Sequence, residues 1–139
     1  MKQRALLSFG AIAFAPLFFT CTELRINHSK SLPFRMFLII KGFPVQKGDL
    51  VSIEGHKSVY FSNIHLIKRI AGLAGEKVMS LHQKTLTKSG KTLSPIKQRI
   101  IPQGFFFVKA SHPDSFDSRY EEFGLVSRKH VKGRAFPLW

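Results

Sequence analysis

Residues 66–75 read Leu-Ile-Lys-Arg-Ile-Ala-Gly-Leu-Ala-Gly. An aliphatic, β-branched run that ends in glycine-marked turns has the composition of a buried strand. Strand side chains alternate between faces. Over 64–70, Ile64, Leu66, Lys68 and Ile70 therefore share one side, and His65, Ile67 and Arg69 the other. Lys68 is placed among aliphatic neighbours, where loss of water disfavours its charged form and lowers its pKa. To take a proton near neutral pH, a lysine must fall from about 10.4 towards about 7, or roughly 4 to 5 kcal/mol of differential solvation. A lysine can also lay its stem along an apolar face and keep its head in water, and taken alone Lys68 fits that reading as well.

Short strands and turns continue outward from this stretch. Residues 44–55 hold a turn at Lys47-Gly48 and then Leu50, Val51 and Ile53 as strand. The Val- and Ile-rich run 58–70 reads as one longer strand region. Residues 76–93 alternate and carry a hairpin signal at Lys88-Ser89-Gly90. Residues 98–110 read as a strand pair around Pro102-Gln103-Gly104, and 128–139 as a final strand. The polar stretch 111–124 is a loop with a short helical turn. After residue 25 there is no long amphipathic helix, repeat or low-complexity tract, so the chain is expected to be mainly β.

The N-terminus differs. Lys2 and Arg4 precede an uncharged stretch from Ala5 to Thr22, and Glu23 and Arg25 follow it. Those 18 residues lie at the lower edge of what crosses a bilayer. Pro16 and Gly10 are tolerated in a membrane helix, and the basic flank predicts a cytoplasmic N-terminus. Residues 1–24 are thus expected to form an N-terminal transmembrane anchor, with 25–139 as one β-rich domain beyond it. A cleaved signal peptide begins in the same way, although Pro-Leu-Phe-Phe-Thr-Cys-Thr lacks the small residues a cleavage site wants. A buried soluble helix is the third reading.

Bulk composition narrows the chemistry. The chain has 139 residues, enough for one domain and an appendage, and a formal net charge of +14. Cys21 is the single cysteine, which excludes an intramolecular disulfide and a cysteine zinc site. Asp114, Asp117, Glu121 and Glu122 crowd one segment without the alternating ligands and central glycine of a calcium loop. No metal or other cofactor is expected. The basic run 84–99 lacks the patterns of a nucleic-acid reader, so attraction to anionic lipid headgroups is the simpler account, and no nucleic-acid partner is expected.

A neutral lysine is useful beside something it can deprotonate. Ser31 in Asn-His-Ser-Lys-Ser-Leu-Pro (27–33) stands just past the expected membrane exit. A serine hydroxyl is a weak nucleophile that needs an adjacent base, and Ser-Lys pairs are one solution. Such a pair calls for Oγ and Nζ within about 2.6 to 3.2 Å of each other. Ser31 is equally an ordinary turn serine before an X-Pro pair, and His112 is an alternative base.

Taken in order, Ser-Leu-Pro, Lys-Gly-Asp-Leu-Val (47–51), Ile-Lys-Arg-Ile-Ala-Gly-Leu-Ala-Gly-Glu-Lys-Val (67–78) and Asp-Ser-Arg (117–119) resemble the type I signal peptidase family. Asn-x-Ser-x-Ser-Leu-Pro, Ser-Phe-Asp-Ser-Arg-Tyr (115–120) and the terminal Gly-Arg-Ala-Phe-Pro-Leu-Trp (133–139) point to its TraF-type branch from conjugative transfer systems. The resemblance implies a β-barrel or sandwich catalytic domain on a membrane helix, with Ser31 as nucleophile and Lys68 as general base. It implies that the Ser29 hydroxyl and the Ser31 N–H form the oxyanion hole. Ser115 would orient the lysine amine, and Asp117 and Arg119 would stiffen the site. Gly72 and Gly75 resemble turn positions after the lysine strand.

The implied activity is serine endopeptidase or transpeptidase processing of an exported precursor, such as pilin maturation or cyclisation. The implied place is the inner (cytoplasmic) membrane, facing the periplasm, among inner-membrane lipids and components of a conjugative type IV secretion system. A general signal peptidase and a non-catalytic anchored component of a secretion apparatus are the alternatives. The chain departs from typical members at Leu32, Ala74, Glu76 and Ser111-His112-Pro113.

Overall fold

The computed structural model describes residues 20–62, 64–78, 85–87 and 89–139. The expected membrane segment lies almost wholly outside them. Among the described residues no helix is long and apolar enough to cross a membrane. Thr22, Glu23 and Leu24, expected to close that 1–24 segment, instead open the first strand, so the β domain begins three residues earlier than expected.

The lysine stretch forms β4 (Leu66–Gly72), which lies inside the sheet. On one side it pairs antiparallel with β3 (Leu50–Ile53), Lys68 opposite Val51. On the other it pairs antiparallel with β7 (Phe105–Lys109). Beyond β3 lie β9 (Val131–Pro137), β2 (Met36–Lys41) and β1 (Thr22–Ile26), and beyond β7 lies β8 (Val126–Ser127). The resulting order, β1-β2-β9-β3-β4-β7-β8, is one antiparallel seven-stranded sheet. Among the described residues its end strands, β1 and β8, do not pair with each other. Two short strands, β5 (Thr85–Leu86) and β6 (Thr92–Leu93), make the small hairpin expected around Ser89-Gly90, where Gly90 takes φ +77°.

Alternation along the strands sorts the core onto two faces. Val51, Ile53, Ile70, Phe106 and Val108 gather on one face with Phe123 and Val126. On the other, Phe37, Ile39, Leu50 and Ala135 close over Leu32 and Ala110. The Lys47-Gly48 turn is held by Asp49, whose carboxylate accepts from the Gln46 N–H (2.9 Å) and pairs with Arg134 on β9 (2.8 Å). At Gly133 on β9 the backbone of β2 leaves no room for a side chain. A Cβ there would lie 2.8 Å from the carbonyl carbon of Ile40 and closer still to its oxygen.

Three expectations differ in extent. The strand read from residue 58 starts at Leu66. The Ser58 hydroxyl accepts from the N–H groups of Tyr60 and Phe61 (3.2 Å each), and this local turn competes with the ladder. Residues 98–101 contribute a bridge, Lys77 to Ile100, rather than a strand. The last strand is preceded by a 3-10 turn, Arg128–His130.

Candidate active site

Strand alternation puts Lys68 on the same face as Leu66 and Ile70. The side chain is 4% exposed. Burial lowers its pKa to about 8. The negative charge of Asp117 works against that shift and the positive charge of Arg119 with it. Arg69 turns the other way and donates to the carbonyl of Gly48 (2.5 Å). The amine of Lys68 donates to the hydroxyl of Ser115 at 2.7 Å.

Ser115 belongs to the 111–119 segment, which has no strand ladder and is held by side chains together with a few isolated backbone bonds. Asp117 is fully buried. Its Oδ2 accepts from the Ala110 N–H (3.0 Å), and its Oδ1 accepts from Arg119 Nε (2.8 Å) and from the Arg119 N–H (3.2 Å). The Arg119 Nη2 donates to Asp117 Oδ2 (3.0 Å) and to the carbonyls of Ser115 (3.1 Å) and His112 (3.3 Å). Delocalised over a planar fork, the guanidinium suits this multiple use. Phe116 packs edge-on against Phe123, ring centroids 5.3 Å apart, and so fastens the segment to the core.

Ser31 lies in the 27–35 connection between β1 and β2. Leu32 is buried and packs into the core face of Phe37 and Ile39. The carbonyl of Ser31 accepts from the N–H of His112 (3.3 Å), and the carbonyl of His112 accepts from the N–H of Ser115 (3.1 Å). The backbone thus links the serine segment to the segment that meets the lysine. Among the described residues no hydrogen bond joins Ser31 to Lys68, whose amine is directed to Ser115 instead. Ser29 is exposed, and its hydroxyl donates to Asn27 Oδ1 at 2.9 Å. A cavity of about 670 Å³ opens beside Asn27, Ser29, Lys30, Leu32 and Phe34.

Lys68, Ser115, Asp117 and Arg119 therefore meet directly, Ser31 joins them through its backbone carbonyl, and Ser29 is bonded to Asn27 instead. His112, the alternative base, accepts through Nδ1 from the N–H of Asp114 (3.2 Å) and so shapes its own loop. Gly75 takes φ +85° in the turn after β4, whereas Gly72 ends the strand itself. A Cβ on Gly72 would lie 2.6 Å from Ile101 Cδ1, so close packing sets the need for glycine there. Glu76 closes the turn through the Leu73 N–H (3.2 Å) and Lys47 (2.7 Å).

Two residues around the site were not singled out in the sequence. Ser118, fully buried, exchanges two hydrogen bonds with the backbone of Val108 (3.0 and 3.1 Å). No local pattern marks that role. Asn27 opens the Asn-x-Ser-x-Ser-Leu-Pro motif, and an Asx residue at the start of a turn is itself a signal for local backbone bonding.

A buried lysine with lowered pKa, held by a serine from a loop that also grips the exposed serine segment, is an arrangement suited to acyl transfer. The profile of the signal peptidase family, peptidase S26, matches residues 3–97 and 79–139. The chain belongs to that family. It is also similar to the conjugal transfer protein TraF of Agrobacterium fabrum, 26% identical over 174 aligned positions that take in all of this chain and 98% of the relative.

Proposed function

We propose that the chain is a membrane-anchored serine endopeptidase of the signal peptidase type that processes an exported precursor in conjugative transfer. The observation that carries this reading is the dry amine of Lys68, with its pKa lowered to about 8, in a chain of the signal peptidase family. The Ser31 hydroxyl attacks the scissile carbonyl while neutral Lys68 takes its proton. Hydrogen bonds between nucleophile and base are often long in a free enzyme and tighten when substrate enters. Ser115 keeps the amine pointed, and the Asp117–Arg119 pair holds Ser115 in place. The Ser29 hydroxyl and the Ser31 N–H face the oxyanion, a contribution worth about 3 to 4 kcal/mol per donor.

The Lys68 ammonium gives its proton to the leaving nitrogen as the tetrahedral intermediate collapses, so the C–N bond breaks, a neutral amine departs, an acyl ester stays on Ser31 and Lys68 is again neutral. Water resolves that ester to a carboxylate, or an amine resolves it to a new peptide bond. The similarity to a conjugal transfer protein favours a pilin precursor, with cyclisation as the second outcome. In this proposal the uncharged segment that precedes β1 holds the chain in the inner membrane and the catalytic domain faces the periplasm.

The test is co-expression with candidate pilin and unrelated exported precursors, read by intact mass. Processing should be lost in both Ser31→Ala and Lys68→Ala. A cyclic product is one water lighter than the linear one. Processing that survives both substitutions would leave only a scaffold role, and cleavage of many unrelated precursors would point to general signal peptide removal.

A further inference from the structure

Asn27 follows β1 and has no part in the chemistry described above. Its backbone N–H donates to the carbonyl of Arg35 at 2.7 Å and draws together the two ends of the serine segment. The side-chain amide then works inside that segment. Nδ2 donates to the carbonyls of Ser29 and Phe34 (3.1 Å each), while Oδ1 accepts from the Ser29 N–H (3.1 Å) and from the Ser29 hydroxyl (2.9 Å). Both halves of the amide are used, one only as donor and the other only as acceptor. Aspartate supplies no donor, and alanine supplies neither group.

The bond to the Ser29 hydroxyl has a chemical consequence. That hydroxyl has one proton, and in the free chain the proton is committed to a neutral amide oxygen. An oxyanion is a far better acceptor, since charge-assisted hydrogen bonds are roughly twice as strong as neutral ones. We propose that Asn27 is a positioning residue for the Ser29 hydroxyl: it holds that proton on a weak acceptor at rest and yields it when negative charge develops on the substrate oxygen. An interaction made only in the transition state raises kcat and leaves KM alone. A carboxylate in place of the amide would compete with the oxyanion for the same proton. The inference rests on the serine peptidase reading.

The test uses the full chain in detergent and an internally quenched peptide with alanines around the scissile bond. Wild type, Asn27→Ala, Asn27→Asp, Ser29→Ala and the Asn27→Asp/Ser29→Ala double variant are compared. Ser29→Ala should lower kcat about a hundredfold. Asn27→Asp should lower kcat about tenfold or more with KM within about twofold, and should add less than about twofold once Ser29 is alanine. Exchange of the Ser29 amide proton should speed up about tenfold in Asn27→Ala, while the amides of β2 stay unchanged.

Either kcat within twofold of wild type in both Asn27 variants, or fully multiplicative effects in the double variant, overturns the proposal. So does an unchanged Ser29 exchange rate. Ser31→Ala separates the two readings. If cleavage depends on Ser31 but not on Asn27, the peptidase stands and this inference falls. If the wild type shows no Ser31-dependent cleavage, both fall as chemistry, and the exchange rate alone reports whether the clamp forms.

Discussion

Replacing Lys68 with methionine should stabilise the protein at neutral pH while abolishing its activity. Lys68 is 4% exposed, and its pKa is lowered from 10.5 to about 8. Between those values the unfolded chain binds a proton that the folded one does not, so stability rises with pH across that window. Below about pH 8 the folded state therefore carries the full cost of a buried charge, about 3 kcal/mol for the difference in pKa. Methionine removes that cost and keeps much the same length of apolar stem. It also gives up the hydrogen bond to Ser115, at about 1 kcal/mol. The net expectation is a gain of about 2 kcal/mol at pH 7, or a rise in Tm on the order of 5 to 10 °C.

At high pH the sign reverses. Once the amine is neutral in both states only the lost hydrogen bond remains, and the variant becomes about 1 kcal/mol less stable than wild type. The curves should cross between about pH 9 and 10. Urea unfolding of both proteins from pH 6 to 11 measures this. Taking the difference cancels every other titrating group. A variant less stable than wild type at pH 7, or a difference that does not change with pH, would refute the claim that the ammonium is stored at a cost.

Three further outcomes follow from the same contacts. Asp117→Asn removes the charge that opposes the lowering of the Lys68 pKa. The acid limb of the pH–rate profile should shift to lower pH, and urea unfolding should show a loss of about 3 kcal/mol as Arg119 loses its buried partner. Gly133→Ala forces a methyl group onto the backbone of Ile40, which should cost about 2 to 4 kcal/mol and lower Tm without altering the pH profile. His56 is buried with its Nε2 on the carbonyl of Phe123, and burial lowers its pKa below 6.5. Stability should therefore fall as pH drops through 6.5 towards that lower value, and His56→Gln should flatten the fall, as urea unfolding at pH 5 to 7 would show.

The lysine strand was legible because its information is local. Alternation and aliphatic neighbours decide which way Lys68 points, and both are written within seven residues. The turn at Gly48 and the small hairpin were legible for the same reason. The strand expected from residue 58 was misjudged because a single serine hydroxyl diverts the backbone there, a contest that composition does not record. The order of the sheet was out of reach, since β9 inserts between β2 and β3 from the far end of the chain. Ser115, Asp117 and Arg119 came from family resemblance alone. Their grouping depends on carbonyls that a bent loop turns towards one guanidinium, and no periodic pattern encodes such a bend.

The loop that presents Ser115 is tied to β7 and the core through Ser118, Asp117 and Phe116, while its tip, from His112 to Ser115, is gathered by the Arg119 guanidinium. Release of that tip breaks the guanidinium–carbonyl contacts and leaves the Asp117 and Ser118 bonds and the sheet standing. Regions of that kind come apart at lower free energy than the strands beneath them. On warming, the lysine would lose its guide while the β signal of the protein is still intact. Inactivation would then run ahead of melting, and the temperature at which the enzyme stops working would report on the loop alone.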